Sequence, residues 1–204
     1  WEATDPGKIP AHGSRNIYTW SGAGGIGFTQ ADLTAAGLWP HIGSTALLDY
    51  LRGDAANEER NGGTYRNRSQ PLGDIVNSDP AFVGTENFGY AGLPEGLATG
   101  PTPYRDFLTA KQSRRKMVYV GANDGMLHAF DALTGEERFA YVPKAVLANL
   151  AQLSAPTYAH RYYVDGSPAA YDAFFGGAWK TVLTGTTGAG AKAVFALDVT
   201  DPDA

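Results

Sequence analysis

The sequence predicts a mainly β chain: a fragment of a β-propeller made of four-stranded antiparallel blades, with short helical insertions. Three observations predict it. The stretch from Val118 to Val142 reads as strand, tight turn, strand, tight turn, strand. Glycine supplies 26 of 204 residues, well above the usual share of roughly 7%, which favours a turn-rich sheet protein over a helical one. Finally, Val76-Asn-Ser-Asp-Pro80-Ala81 recurs as Val164-Asp-Gly-Ser-Pro168-Ala169, 88 residues later (164 − 76).

The elements follow in order. Residues 1–70 form a mixed lead-in, expected to pack short helices on the propeller. Within it Arg15–Trp20 is strand-like, FTQADLTAAG is one short helix, and Ser44 N-caps a second helix through Leu51 with Gly53 closing it. Residues 71–204 are expected to hold two blades. The first has strands at 74–84, 117–121, 126–131 and 137–142; the second restarts at 162–171, 179–185 and 193–199 and lacks its last strand. Val118, Tyr119 and Val120 are β-formers, and Asn123-Asp124-Gly125 supplies the backbone freedom of a hairpin turn. Asp131, Thr134 and Gly135 are read as turn residues, as is Asp198 in the second copy. Two insertions lengthen the repeat beyond the ordinary ~40–50 residues of a propeller unit. One is Thr85–Lys116. The other is PKAVLANLAQLS, a helix with Pro143 in its first turn and Val146, Leu150 and Leu153 on one face.

Composition narrows function. The net charge of −5, from 16 basic and 21 acidic residues, argues against general nucleic-acid binding. The chain has no cysteine, which removes disulfides, thiolate zinc sites and thiol chemistry. No apolar run approaches the ~18 residues of a membrane helix, so no direct membrane insertion is expected. The start at Trp1 and the end just after a strand read as an internal fragment of a longer protein.

Two nested resemblances follow from these residues. Ala129-x-Asp131-x-x-Thr134-Gly135, with Phe139 four residues on, resembles the repeat of pyrroloquinoline-quinone-type propellers, Phe139 standing where tryptophan is usual. More specifically, DYLRGD (49–54), YRNRSQPLGDIVNSDPAFVG (65–84), MVYVGANDGMLHAFDA (117–132), FAYVPKAVLANL (139–150), HRYYVDGSPAAYDA (160–173) and WKTVLTGTTGAGAKAVFALDVT (179–200) resemble the C-terminal propeller of the PilC/PilY family of type IV pilus tip-associated proteins. That resemblance implies a non-enzymatic protein at the pilus tip or outer-membrane surface. It would support pilus extension against retraction, serve twitching motility, and attach to host or abiotic surfaces. Minor pilins are the implied partners, and calcium regulation comes with the family. Two alternatives stay open: a quinoprotein dehydrogenase, and an outer-membrane assembly scaffold.

The candidate sites are few. The calcium loop implied by the family is absent from this segment; Asp198, Asp201 and Asp203 have the wrong spacing and lack a distal acidic ligand. Calcium is therefore expected in the full-length protein, and no cofactor in this segment. Arg52-Gly53-Asp54 spells the integrin-binding tripeptide, a candidate adhesive site if it protrudes, but its place at a helix end gives Gly53 a capping role. Gly22–Gly27 matches G-x-G-x-x-G without the helix and acidic residue of a dinucleotide unit. Lys111, Arg114, Arg115 and Lys116 read as a solvated basic face. His12, His41, His128 and His160 show no ligand spacing, and no catalytic set is discernible.

Overall fold

The computed structural model describes residues 1–94 and 102–203. Part of the expected insertion at 85–116 and the final Ala204 lie outside the described residues. The strands are β1 (Ile17–Trp20), β2 (Gly25–Gly27), β3 (Ala81–Val83), β4 (Met117–Gly121), β5 (Leu127–Asp131), β6 (Glu137–Val142), β7 (Ala169–Phe175), β8 (Ala178–Thr186) and β9 (Val194–Asp198). The α-helices are α1 (Gln30–Ala35), α2 (Thr45–Arg52) and α3 (Tyr104–Lys111).

Among the described residues the strands form two open sheets, ordered β2-β1-β6-β5-β4-β3 and β7-β8-β9. This corrects the expected fold class. The antiparallel meander β3 to β6 does form, but it does not stop as a four-stranded blade. β1 adds to β6 in parallel, pairing Ile17 with Ala140 and Thr19 with Val142, and β2 adds to β1. The physical reason is edge satisfaction: an unpaired edge of N–H and C=O groups takes whatever strand is within reach. Here that strand is the lead-in, and Thr19 Oγ1 strengthens the join by donating to the Val142 carbonyl at 2.7 Å. The result is a mixed α/β arrangement rather than a closed propeller.

Local chemistry explains the elements. Ser44 Oγ accepts from the Leu47 N–H at 3.1 Å at the start of α2, and Gly53 ends that helix at φ +115°. The β4–β5 turn places Gly125 at φ +96° and has Asp124 Oδ1 accept from the Met126 N–H. Gly22–Gly27 is the β1–β2 hairpin, followed by the six-residue α1 capped by Thr29, so no dinucleotide unit forms.

The centre of the first sheet is covered on both faces. Ile17, Phe28, Leu33, Leu48, Val142 and Leu150 join α1, α2 and residues 144–154 into one core. On the other face Met117, Tyr119, Leu127 and Ala129 meet Val164, Leu183 and Val199 of the second unit. β5, sandwiched between, is buried along its whole length. Lys144–Ser154 is a 3-10 helix rather than an α-helix. Its buried Leu147, Leu150 and Leu153 recur every three residues, which aligns them on one side of a three-residue turn. Leu150 is fully buried, so Leu150→Ala is expected to lower stability by about 2–5 kcal/mol, read from the urea unfolding midpoint.

The two repeat copies bind each other. Asn77 donates through its backbone N–H and Nδ2 to the Asp165 carboxylate at 3.2 and 2.7 Å. Ser78 Oγ donates to the Gly166 carbonyl, and the Asp79 N–H donates to Ser167 Oγ. Each of these pairs joins equivalent positions of the repeat, 88 residues apart.

Candidate functional site

The candidate adhesive tripeptide is built into the interior at its first residue. Arg52 is buried and spends Nε on the His12 carbonyl, Nη1 on Phe28 and Nη2 on Arg15, at 2.8–3.1 Å. Gly53 holds the left-handed helix end. Asp54 is partly exposed, and its Oδ1 accepts from the Ala56 N–H. Arg52 thus ties α2 to the chain on either side of β1.

The turn residues sit as follows. Asp131 Oδ1 accepts from the N–H groups of Leu133 and Thr134 at 2.8 and 3.0 Å, and Gly135 has φ +74° with its N–H on the Asp131 carbonyl. Thr134 Oγ1 accepts from the Glu136 N–H. Asp198 Oδ1 accepts from the N–H and hydroxyl of Thr200, while its Oδ2 meets Lys180. Asp203 pairs with Arg115 and Arg138, and Asp201 accepts from the Asp203 N–H. Asp198 thus faces Lys180, Asp203 faces Arg115 and Arg138, and Asp201 turns back on the Asp203 N–H. Among the described residues no group of three or more acidic, histidine or cysteine side chains has metal-site geometry.

The basic cluster is not a solvated face. Lys111 is buried on Asp172; Arg114 bonds the Gly84 carbonyl and Thr181; Arg115 contacts Asp131 and Asp203. The reading as free surface charge fails for Lys111, Arg114 and Arg115, because each has an acceptor brought to it from elsewhere in the chain, whereas Lys116 is exposed as expected.

A buried ionised chain crosses the first sheet on its helical side. Arg15 donates from Nε and Nη2 to the two oxygens of Glu137, both at 2.7 Å. His128, fully buried, contacts Glu137 Oε1 through Nδ1 at 2.7 Å and Asp124 Oδ2 through Nε2 at 3.0 Å. Burial by itself would depress the His128 pKa, but Asp124 and Glu137 outweigh it and raise it to about 9. Both ring nitrogens therefore carry protons and donate at neutral pH. Burial would likewise raise Glu137, yet hydrogen bonds from His128 and Arg15 bring it down to about 2. Asp124 is lowered too, burial again being overcome, mainly by the charge of His128. The set holds its protons at both ends of the neutral range and presents no group poised to give or take one.

An apolar cleft of about 880 Å³ lies between β1 and β6 on one side and β9 on the other. Tyr18, Trp20, Phe139, Tyr141, Phe195 and Leu197 line it. Tyr141 and Phe195 approach to 5.2 Å between ring centres across the two sheets. Sequence reasoning missed this groove. Its one visible signal was the alternation Tyr18–Trp20, which marks a strand face but not what lies opposite.

Comparison with known proteins decides the kinship. Residues 72–204 match the family model described as the PilY1 beta-propeller domain. The chain belongs to the PilY1 family. It is 47% identical over 172 residues to the type IV pilus biogenesis factor PilY1 homolog of Xylella fastidiosa strain Temecula1, covering 79% of this chain and 14% of that protein. It is 50% identical over 156 residues to type IV pilus biogenesis factor PilY1 of Pseudomonas aeruginosa strain PAK, covering 75% of this chain and 13% of that protein. The chain thus spans about an eighth to a seventh of the length of these relatives. The crystal structure of the Pseudomonas aeruginosa PilY1 C-terminal domain is 47% identical to it, covering 61% of this chain and 23% of that chain, with a TM-score of 0.47. The resemblance drawn from sequence is corrected on one point. The match establishes PilY1 kinship, whereas the expected four-stranded propeller blades give way here to open sheets of six and three strands among the described residues. No helix among the described residues is long and apolar enough to cross a membrane.

Proposed function

We propose that this chain is a non-catalytic part of a pilus-associated surface protein. The protein would act outside the cell, at the pilus tip or outer-membrane surface, where it promotes pilus extension and attachment. The match of residues 72–204 to the PilY1 family carries this reading. Two relatives sharing about half of the aligned residues are named type IV pilus biogenesis factors, and the interior charges here are committed to structure rather than catalysis. Minor pilins are the proposed partners. Calcium regulation belongs to the proposal as a property of residues outside this chain, since the acidic residues at 198–203 face separate partners.

The test is deletion of this segment from the chromosomal gene, once in a strain able to retract its pili and once in a strain lacking the retraction motor. Surface pili and twitching are expected to be lost in the first, and surface pili restored in the second. Unchanged piliation, twitching and attachment in the retraction-competent deletion strain would sink the proposal.

A further inference from the structure

α3 docks on the second sheet through a buried lysine–aspartate pair. Lys111 Nζ donates to Asp172 Oδ2 at 2.7 Å, with the two side chains 1% and 0% exposed. Three further contacts fix the geometry. Lys111 Nζ also donates to the Glu86 carbonyl at 2.6 Å. The Tyr104 hydroxyl donates to Asp172 Oδ2, and Thr181 Oγ1 donates to Asp172 Oδ1, both at 2.7 Å. Arg114 Nη1 in turn donates to Thr181 Oγ1 at 2.7 Å. The rings of Phe88 and Phe107 lie 5.3 and 5.4 Å from Nζ and close the site from water.

We propose that Lys111 and Asp172 form an intramolecular isopeptide bond. Five features support it. An Nζ in hydrogen-bond contact with Oδ2 lies beside Cγ, the atom it must attack, and is held there, which is the main requirement of an intramolecular addition. Taking an ion pair out of water costs more than taking out a neutral amide. The dry surroundings also deny the reverse hydrolysis its water. Thr181, backed by the Arg114 guanidinium, bonds the oxygen on which negative charge develops as Cγ becomes tetrahedral, the role of an oxyanion-stabilising donor. Tyr104 meets the departing oxygen. Burial first, and its bond to Asp172 second, hold the Tyr104 phenol protonated far above its ordinary range.

The balance closes without a co-reactant. One ammonium proton first passes along the hydrogen bond to Oδ2, which frees the Nζ lone pair; the Nζ–Cγ bond then forms and the Cγ–Oδ2 bond breaks. Of the three ammonium protons, one stays on the amide nitrogen and two leave with Oδ2 as water. No electron is transferred. The product would fasten α3 covalently to β7, joining elements 61 residues apart.

Peptide mass mapping of the intact protein tests it. The expected result is a molecule lighter than its sequence by one water. Trypsin is expected to leave Lys111 uncut and release Asp106–Arg114 joined to Tyr162–Lys180. Separate, unmodified peptides ending at Lys111 and at Lys180 would overturn the inference. Lys111→Arg keeps the cation but removes the attacking amine, and is expected to restore the full mass. A water still missing from that variant would place the linkage elsewhere and overturn it as well. The wild-type map decides the matter even where the variant fails to fold.

Discussion

Glu137→Gln is expected to destabilise the protein by about 3–5 kcal/mol, the cost of breaking a buried ion pair from one side. Glu137 receives three charged hydrogen bonds, two from Arg15 and one from His128. A glutamine offers one oxygen and turns its NH2 toward a cation, leaving donors facing donors. For a domain of this size the melting temperature should fall by roughly 6–20 °C. The wild type should also carry a pH signature. His128 has its pKa raised from 6.5 to about 9, so its contribution is complete below pH 6.5 and disappears as pH rises through about 9. Glu137 has its pKa lowered from 4.5 to about 2, so its contribution is present above pH 4.5 and disappears as pH falls toward about 2. Melting temperatures measured from about pH 3 to about pH 10 should therefore peak between these limits, and Glu137→Gln should flatten the acid side. A variant within about 1 kcal/mol of wild type would show that the buried chain is replaceable.

Arg52→Ala is expected to cost about 2–5 kcal/mol, because three backbone carbonyls lose their donors inside the protein. Asp54→Ala, at a partly exposed position with one local backbone bond, should cost no more than about 1 kcal/mol. The pair separates two roles for the tripeptide. An internal tie predicts that only Arg52→Ala lowers the unfolding midpoint and that Asp54→Ala leaves cell attachment unchanged. A recognition site predicts equal loss of attachment from both, with Asp54→Ala fully folded. Measuring attachment and urea unfolding side by side distinguishes them.

Both predictions rest on contacts between residues distant in the chain. Arg15 meets Glu137 across 122 residues, Arg52 meets His12, Phe28 and Arg15 across 40, 24 and 37, and nothing near Arg15 in the sequence names its partner. The groove is of the same kind. Tyr18 and Trp20 were legible as one strand face, but Phe139, Tyr141, Phe195 and Leu197 reach them only through packing. The basic cluster misled for this reason too: a run of cations looks solvated until the acceptors folded onto it are known. Locally encoded features were readable. The Ser44 cap, the Gly53 helix end and the Gly125 turn each depend on neighbours within a few residues.

The sequence alone therefore determined the meander β3–β6, the repeat of VNSDPA as VDGSPA, and the kinship those segments carry, because turn, cap and alternation rules act over a few bonds. Only the tertiary structure decided where the first sheet ends, that the two copies of the repeat bond to each other, and which charges are buried in pairs. Those outcomes depend on which distant group reaches an unsatisfied edge or ion first. Satisfying β6 with β1 in parallel was enough to turn an expected blade into an open six-stranded sheet.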